Sequence, residues 1–349
     1  MAAAWLIGLS ILMPRIVFSQ STRARAAAAA AAYFLAASLP AISVWKVFAP
    51  DQPEEGVLIW LSASAILTIP WTLLWSHDRA QRIWRIPMVL LLSTLPPIGL
   101  IGWASPLTAA GILLPGTGLL GLAATSLLPV YPKAGAAAAL IANLAFTPPS
   151  IPSWVTALNT SELNDRFAKE ECARAAIHAG KVKLSVLPEG AVPRWTEATE
   201  AFWSPTIEHL QQTHRTALVG AGLPIPSSNQ FKNAIIVIGE WKASPYQQRI
   251  PIPVGMWKPF SPAEGVPLNL AGPGTLQLGP HRLAVLICYE QLLVWPILHS
   301  AFERPTLIVG VSNAAWTSHT NIPAAQEACL KAWSRLFGIP FVSAVNTLN

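Results

Sequence analysis

Charge is spread so unevenly along this chain that no single solvent suits all of it. Only 11% of the 349 residues are charged against 52% hydrophobic, and nearly all of the charge-poor sequence lies before about residue 151. The mean hydropathy of +0.44 exceeds what an ordinary soluble domain carries. The first 151 residues are therefore expected in lipid, and residues 152–349, with ordinary charge density, in water.

Apolar runs occur at Ala2 to Phe18, Ala26 to Phe48, Val57 to Trp75, Ile86 to Trp103, Pro106 to Val130 and Ala134 to Ile151. Most approach the ~20 residues that a bilayer crossing needs. About six transmembrane helices are expected, the fifth broken by Pro115-Gly116 and the sixth short and alanine-rich. Arg15, Arg23 and Arg25 alternate along the chain with Asp51, Glu54 and Glu55, and these with Arg79, Arg82 and Arg85 and then Lys133. Basic loops stay in the cytoplasm, so the alternation places everything after Ile151 on the opposite face, the periplasm of a Gram-negative cell. The start at Met1 lacks a basic n-region and a small-residue cleavage site and is expected to remain as a helix. Trp60, Trp71, Trp75, Trp84 and Trp103 sit near expected helix ends, as an interfacial belt would.

The second region alternates helix and strand. Asn159 to Gly180 reads as an amphipathic helix with Asn159 as cap, Glu162 reaching back to it and Gly180 as a left-handed exit. Strands are expected at Lys183–Leu187, Thr216–Gly222, Leu307–Asn313 and Phe341–Asn346, with Asn233–Glu240 and the following Trp241–Tyr246 as two antiparallel strands around a turn, and helices at about Thr196–Thr213 and Pro323–Phe337. The pattern is that of a layered α/β domain. Its centre is Leu283-Ala-Val-Leu-Ile-Cys-Tyr-Glu290, a buried strand ending on a cysteine that turns at once into a helix. Such a turn lifts the Cys288 thiol out of the sheet, where it can attack a substrate. Pro188-Glu189 adds a carboxylate at another strand's C-terminal end, the edge at which sheet-based sites collect their catalytic groups.

Three cysteines without a Cys-x-x-Cys spacing and seven scattered histidines give no metal site, and no cofactor is implied. Cys172 and Cys329 are expected as packed thiols. The net charge of +6 is dispersed, without a basic stripe or motif for nucleic acid.

With Pro188-Glu189, Ile287-Cys288-Tyr289-Glu290 and Val311-Ser312-Asn313-Ala-Ala-Trp316 in that order, the second region resembles the carbon-nitrogen hydrolase, or nitrilase, superfamily. Over the whole chain the resemblance is to its membrane member, apolipoprotein N-acyltransferase. The phrases Ala-Tyr33-Phe-Leu-Ala-Ala-Ser38 and Ile287 to Pro296 are most similar to the conjugal-transfer TraB proteins of plasmids. The resemblance implies a transmembrane helix bundle followed by an αββα sandwich, continuing past Asn349 into further strands and a last membrane helix.

It also implies a Glu, Lys and Cys site, in which a carboxylate takes the thiol proton, a cation stabilises the oxyanion and sulfur is acylated. Cys288 matches the nucleophile, Glu189 the general base and Glu290 a supporting acid. Tyr289, Asn313, Trp316 and Trp257 are the expected substrate-binding residues. The lysine is missing: the family's Tyr-Asp-Lys-Arg reads Tyr246-Gln247-Gln248-Arg249, so Gln248 stands at its place, with Arg249 and Lys258 as conceivable substitutes. Two acidic positions of the family read Met256 and Ala314.

Two readings stand. One is an acyltransferase or amidase working through a Cys288 thioester, with a membrane lipid as acyl donor. The other is a catalytically weak nitrilase-fold scaffold that serves conjugation through contacts with the conjugation apparatus.

Overall fold

The computed structural model describes residues 7–163, 165–261 and 263–348, and the protein is a mixed α/β chain. Among the described residues ten strands form two five-stranded sheets. The first runs in the order β1 (Val155–Ala157), β3 (Leu184–Val186), β4 (Thr216–Pro224), β5 (Phe231–Gly239) and β6 (Tyr246–Gln247). The second runs β2 (Thr160–Ser161), β10 (Phe341–Thr347), β9 (Leu307–Asn313), β8 (His281–Ile287) and β7 (Leu276–Leu278). In the second sheet β8, β9 and β10 are parallel, with Ile287 level with Val311 and Asn313 level with Asn346. Their C-terminal ends therefore line one edge.

The two sheets share one core. Leu184 and Val186, Leu218, Ile235, then Leu283, Val285 and Ile287, Leu307, Val309 and Val311, and Val342 and Ala344 pack together, every second residue of each strand. On β8 the intervening Ala284 and Leu286 are buried as well. A strand buried on both faces has no place for a polar residue, which is why it reads as an unbroken apolar run. On the first sheet the alternate set Ala217, Val219, Ala221, Ile236 and Ile238 packs with Ala173 and Ile177 of helix Arg166–Ala179 and Trp203 and Leu210 of helix Glu197–Gln212.

The chain divides into two compact units. The sandwich unit comprises Ser150–Gln291, His299–His319 and Pro340–Asn349; the other groups the described residues up to Pro149 with Leu292–Leu298 and Thr320–Ile339. Much of helix Val294–Phe302, after β8, and all of helix Ile322–Phe337, after β9, thus count with the N-terminal helices.

Within that helical unit the expected runs are shorter and more broken than the sequence suggests. Glu55–Leu74, with 20 residues, is the one described helix long and apolar enough to cross a membrane; Arg23–Ser38 and Pro40–Phe48 qualify only as a pair, bent by 48°. Among the described residues there is thus one candidate span, or two if the bent pair is one, against the six expected. Leu39-Pro40 breaks the second run, and Pro106 to Val130 folds into pieces, Pro106–Ala109, Ala110–Leu113 and Gly118–Thr125. Pro132–Ala145, at ~1.5 Å per residue, is about 21 Å long, short of the ~30 Å hydrocarbon core. Of the helix expected from Ala2, the described part runs Ile7–Ser19 with a turn at residues 10–11, and Met1 to Leu6 lie outside the described residues.

Arg335 fastens the broken stretch: its Nε donates to the Gly111 carbonyl at 3.1 Å, its guanidinium to Asn143 Oδ1 at 2.7 Å, and its carbonyl accepts from Gly116 N at 2.7 Å. Trp71 and Trp75 are buried inside this unit rather than turned outward as belt residues, because the helix they close packs that face against Phe34.

The expected cap at Asn159 is also corrected. Residues 160–161 are a strand paired to β10, which holds Asn159 outside the helix, where its Oδ1 accepts from Val345 N. Asp165 caps helix Arg166–Ala179, accepting from Phe167 N at 2.8 Å. Glu162 binds Lys169 and Asn346, and Gly180 leaves the helix at φ −66°, not left-handed. Cys329 is buried, but Cys172 is exposed on that helix, so it is not a packed thiol.

Candidate active site

The Glu189 and Cys288 side chains come from different sheets and meet at the C-terminal edge of their strands. Glu189 follows β3 in a turn that is laced to β4, with Leu187 N donating to Leu218 O at 2.8 Å and Val192 N to Gly220 O at 3.0 Å. Gly220 is obligatory there: a methyl group on it would collide with the Pro188 carbonyl and come within 2.7 Å of the Glu189 Cα. Gly190 takes φ +65°, which turns the chain away directly after the carboxylate.

Cys288 follows β8 with φ +53°, a left-handed conformation that costs a non-glycine residue about 1–2 kcal/mol. The expected turn into a helix is a 3-10 turn, Cys288–Leu292, followed by helix Val294–Phe302. The thiol lies within hydrogen-bonding reach of the Glu189 carboxyl. The Tyr289 and Asn313 backbone N–H groups act on the thiol in the opposite sense to burial, favouring its ionised form.

Both groups are buried, Glu189 at 7% and Cys288 at 2% exposure. Burial pushes the Glu189 carboxyl above its usual range, assisted by the Glu290 charge; hydrogen bonds from Cys288, Asn313 N and Asn233 pull the other way. Burial and the adjoining Glu189 charge push the Cys288 thiol well above the ordinary thiol value. Sulfur thus keeps its proton until attack, and a carboxylate raised toward neutrality is a competent base to take it.

Gln248 lies in the same cluster and is fully buried. Its Oε1 accepts from Asn233 Nδ2 at 2.9 Å and its Nε2 donates to the Ile287 carbonyl at 3.0 Å, one residue before the cysteine. Asn233 Nδ2 also donates to Glu189 Oε1 at 2.6 Å, and Asn313 N donates to Glu189 Oε2 at 2.9 Å. Asn233 escaped the sequence reading. Its one signal was a polar residue opening an otherwise apolar strand, and only the pairing of β5 with β4 and β6 carries it to the base.

Glu290 is fully buried and takes no part in that cluster's hydrogen bonds. Its Oε1 accepts from Arg249 N at 2.7 Å and Ile250 N at 3.1 Å, and its Oε2 from Ile287 N at 2.9 Å. Arg249 pairs with it at 3.5 Å and also reaches Ser300 Oγ and the Val285 carbonyl, each at 3.3 Å. The described contacts of the Arg249 guanidinium are thus with Glu290, Ser300 and the Val285 carbonyl. The Asn313 side chain binds Ala315 N and Asn346, and Trp316 packs on the core cluster that contains Cys288. Tyr289 is half-buried in the turn after the cysteine. Trp257 is part of a separate loop knot, donating from its N–H to Ile252 O while its carbonyl accepts from Val254 N. Lys258, in the same loop, has no ion pair among the described residues.

No protein-family model matches the chain. It is 32% identical over 99% of its length, and 93% of the relative's, to a probable conjugal transfer protein TraB of Sinorhizobium fredii. It is 34% identical, over 99% of its length and 88% of the relative's, to the conjugal transfer protein TraB of Agrobacterium fabrum. An apolipoprotein N-acyltransferase of Pasteurella multocida is 23% identical over 49% of this chain and 36% of that one. Among solved structures, an amidase from Nesterenkonia sp. matches 56% of this chain and 78% of its own at 20% identity and a TM-score of 0.42. The carbon-nitrogen hydrolase of Helicobacter pylori matches 55% and 72% at 14% identity and a TM-score of 0.42. The extent and identity of the first two matches show that the chain belongs to the family of conjugal transfer proteins TraB.

Proposed function

We propose that this TraB-family protein is a multi-pass protein of the bacterial inner membrane, with residues 1–151 as its helical membrane part and residues 152–349 as a periplasmic carbon-nitrogen-hydrolase-type domain. In that domain Cys288 forms an acyl thioester, with Glu189 as general base, and passes the acyl group to an amine or to water. The observation that carries this reading is the Cys288 thiol held at φ +53° and hydrogen-bonded to a buried carboxylate. A left-handed cysteine costs stability, and strain of this kind is kept where chemistry uses it. Glu189 accepts the thiol proton as sulfur attacks the acyl carbon and returns it to the leaving group, so no free thiolate is required.

The membrane part is supported by the alternation of basic and acidic connectors and by apolar side chains turned outward, such as Leu58, Leu73, Ile141 and Leu144. A lipid serves as acyl donor, and proteins of the conjugation apparatus are the partners that the family suggests.

A second reading is favoured by Gln248. With its amide committed to Asn233 and the Ile287 carbonyl, the site has no cation to stabilise an oxyanion. The domain then works as a scaffold in conjugation. Intact-mass measurement of the purified protein with phospholipid or an activated ester separates the two. A Cys288-dependent adduct, lost in Cys288→Ala, supports the enzyme; no adduct in the wild type or in Gln248→Lys leaves the scaffold. Plasmid transfer by a Cys288→Ala strain shows whether the chemistry matters to conjugation.

A further inference from the structure

We propose that Asn233 is a positioning residue that sets the Glu189 base, acting with Gln248 as a neutral amide relay anchored on the carbonyl that precedes Cys288. The inference rests on Glu189 and Cys288 being the reacting pair. Both ends of the relay fix the direction of its hydrogen bonds. The Ile287 carbonyl can only accept, so Gln248 must turn its NH2 to it, at 3.0 Å, and its Oε1 to Asn233. The Glu189 carboxylate likewise only accepts, so Asn233 must present its NH2, one hydrogen going to Glu189 Oε1 at 2.6 Å and the other to Gln248 Oε1 at 2.9 Å. An amide NH2 has two protons, and both are used.

The backbone makes the arrangement rigid. Gln248 N donates to the Asn233 carbonyl at 2.8 Å, and the next residues pair β5 with β6, Ala234 opposite Gln247. Asn233 is 5% exposed and Gln248 is fully buried, so water does not compete for these groups. The relay thereby ties the carboxylate from one sheet to the backbone of the nucleophile's strand in the other. Asn313 N holds the second carboxylate oxygen. With Oε1 and Oε2 each pinned, the carboxylate plane has one orientation toward the thiol.

The charged and titratable groups around Glu189 are few. Cys288 and Glu290 come from the turn after β8, and Glu290 is paired with Arg249 from the segment after β6. On the β9 and β10 side, neutral Asn313 and Asn346 intervene before Glu162 and its partner Lys169. Asn233 is thus the side-chain donor that favours the ionised form of Glu189 from the β5 side.

The test reads the Glu189 proton directly. Full-length protein in detergent, labelled with 13C at glutamate carboxyls, is titrated by NMR, with Glu189→Gln identifying the Glu189 signal. Asn233→Ala is expected to raise the Glu189 midpoint by about one pH unit or more, as loss of a hydrogen bond to a charged group does. Asn233→Ser keeps one donor and is expected to raise it less. Gln248→Met keeps the side-chain length, leaves Asn233 intact, and is expected to shift the midpoint in the same direction by a smaller amount. The double variant Asn233→Ala with Gln248→Met should match Asn233→Ala alone, because a relay already cut has nothing further to lose. A midpoint unmoved by Asn233→Ser and Gln248→Met overturns the proposal even if Asn233→Ala does not fold, and so do additive shifts. Alkylation of Cys288 by iodoacetamide, followed by peptide mass spectrometry, is measured separately. An inert Cys288 with a shifted Glu189 midpoint counts against the acyl-transfer reading and leaves the relay standing.

Discussion

Replacing Glu290 by glutamine tests whether the site's frame depends on a buried charge that never touches the thiol. Glu290 accepts three backbone N–H groups, from Arg249, Ile250 and Ile287, and faces the Arg249 guanidinium at 3.5 Å. A glutamine there must turn its NH2 toward one of the two sets of N–H donors. The cheaper choice faces Ile287 N, which gives up one hydrogen bond to a charged acceptor, about 1.5–3 kcal/mol. The charge on Arg249 then stays buried without its carboxylate, and breaking such a pair costs about 3–5 kcal/mol in all. At the lower figure, a domain of this size should lose ~6–12 °C in Tm. The assay is thermal unfolding of the purified protein followed by tryptophan fluorescence. Arg249→Met in the Glu290→Gln background should recover part of the loss, since the stranded cation is removed. A Tm change below ~2 °C, or a double variant no better than the single, would refute the argument that this pair holds the turn to the segment after β6.

Three further outcomes are expected. Cys288→Gly should be about 1 kcal/mol more stable than Cys288→Ala in chemical denaturation, because glycine adopts φ +53° without strain; equal stability would remove the case for a strained nucleophile. Gly220→Ala should cost about 1–3 kcal/mol and abolish Cys288 alkylation, since its methyl group occupies the place of the Pro188 carbonyl behind Glu189; normal alkylation in a folded variant would count against that turn as the support of the base. Because burial raises the Glu189 value, the folded protein holds a proton that the unfolded chain releases above about pH 4.3, so stability falls as pH climbs through that window to the raised value. Glu189→Gln should flatten that slope in pH-dependent unfolding, whereas the Cys288 thiol adds the same sign only above about pH 8.5.

Much of the sandwich could be read along the chain. Leu307–Asn313 and the helix expected at about Thr196–Thr213, found as Glu197–Gln212, are local patterns, and they fold as they read. The misreadings arise where a distant partner outweighs a local preference. Asn159 has the chemistry of a cap, but β10 claims residues 160–161 as a strand and Val345 N takes its side chain. In the helical unit the break at Pro115-Gly116 was legible in the sequence, whereas the 48° bend at Leu39-Pro40 inside an unbroken apolar run was not.

By itself the sequence determined that Cys288 ends a buried strand, that Glu189 ends another, and that no lysine stands at position 248, because each depends on the residues next to it. What the side chains do there was decided by the tertiary structure. Glu290, three positions from a strand residue it hydrogen-bonds, became a frame for three backbone N–H groups, and Arg249 was paired with it. Asn233, marked in the sequence only as a polar residue at the start of an apolar run, became the donor to the base. Hydrogen bonds of about 3 Å are selective for direction and partner in a way that no spacing along the chain encodes, so a buried polar residue acquires its role only when strands from two sheets close around it.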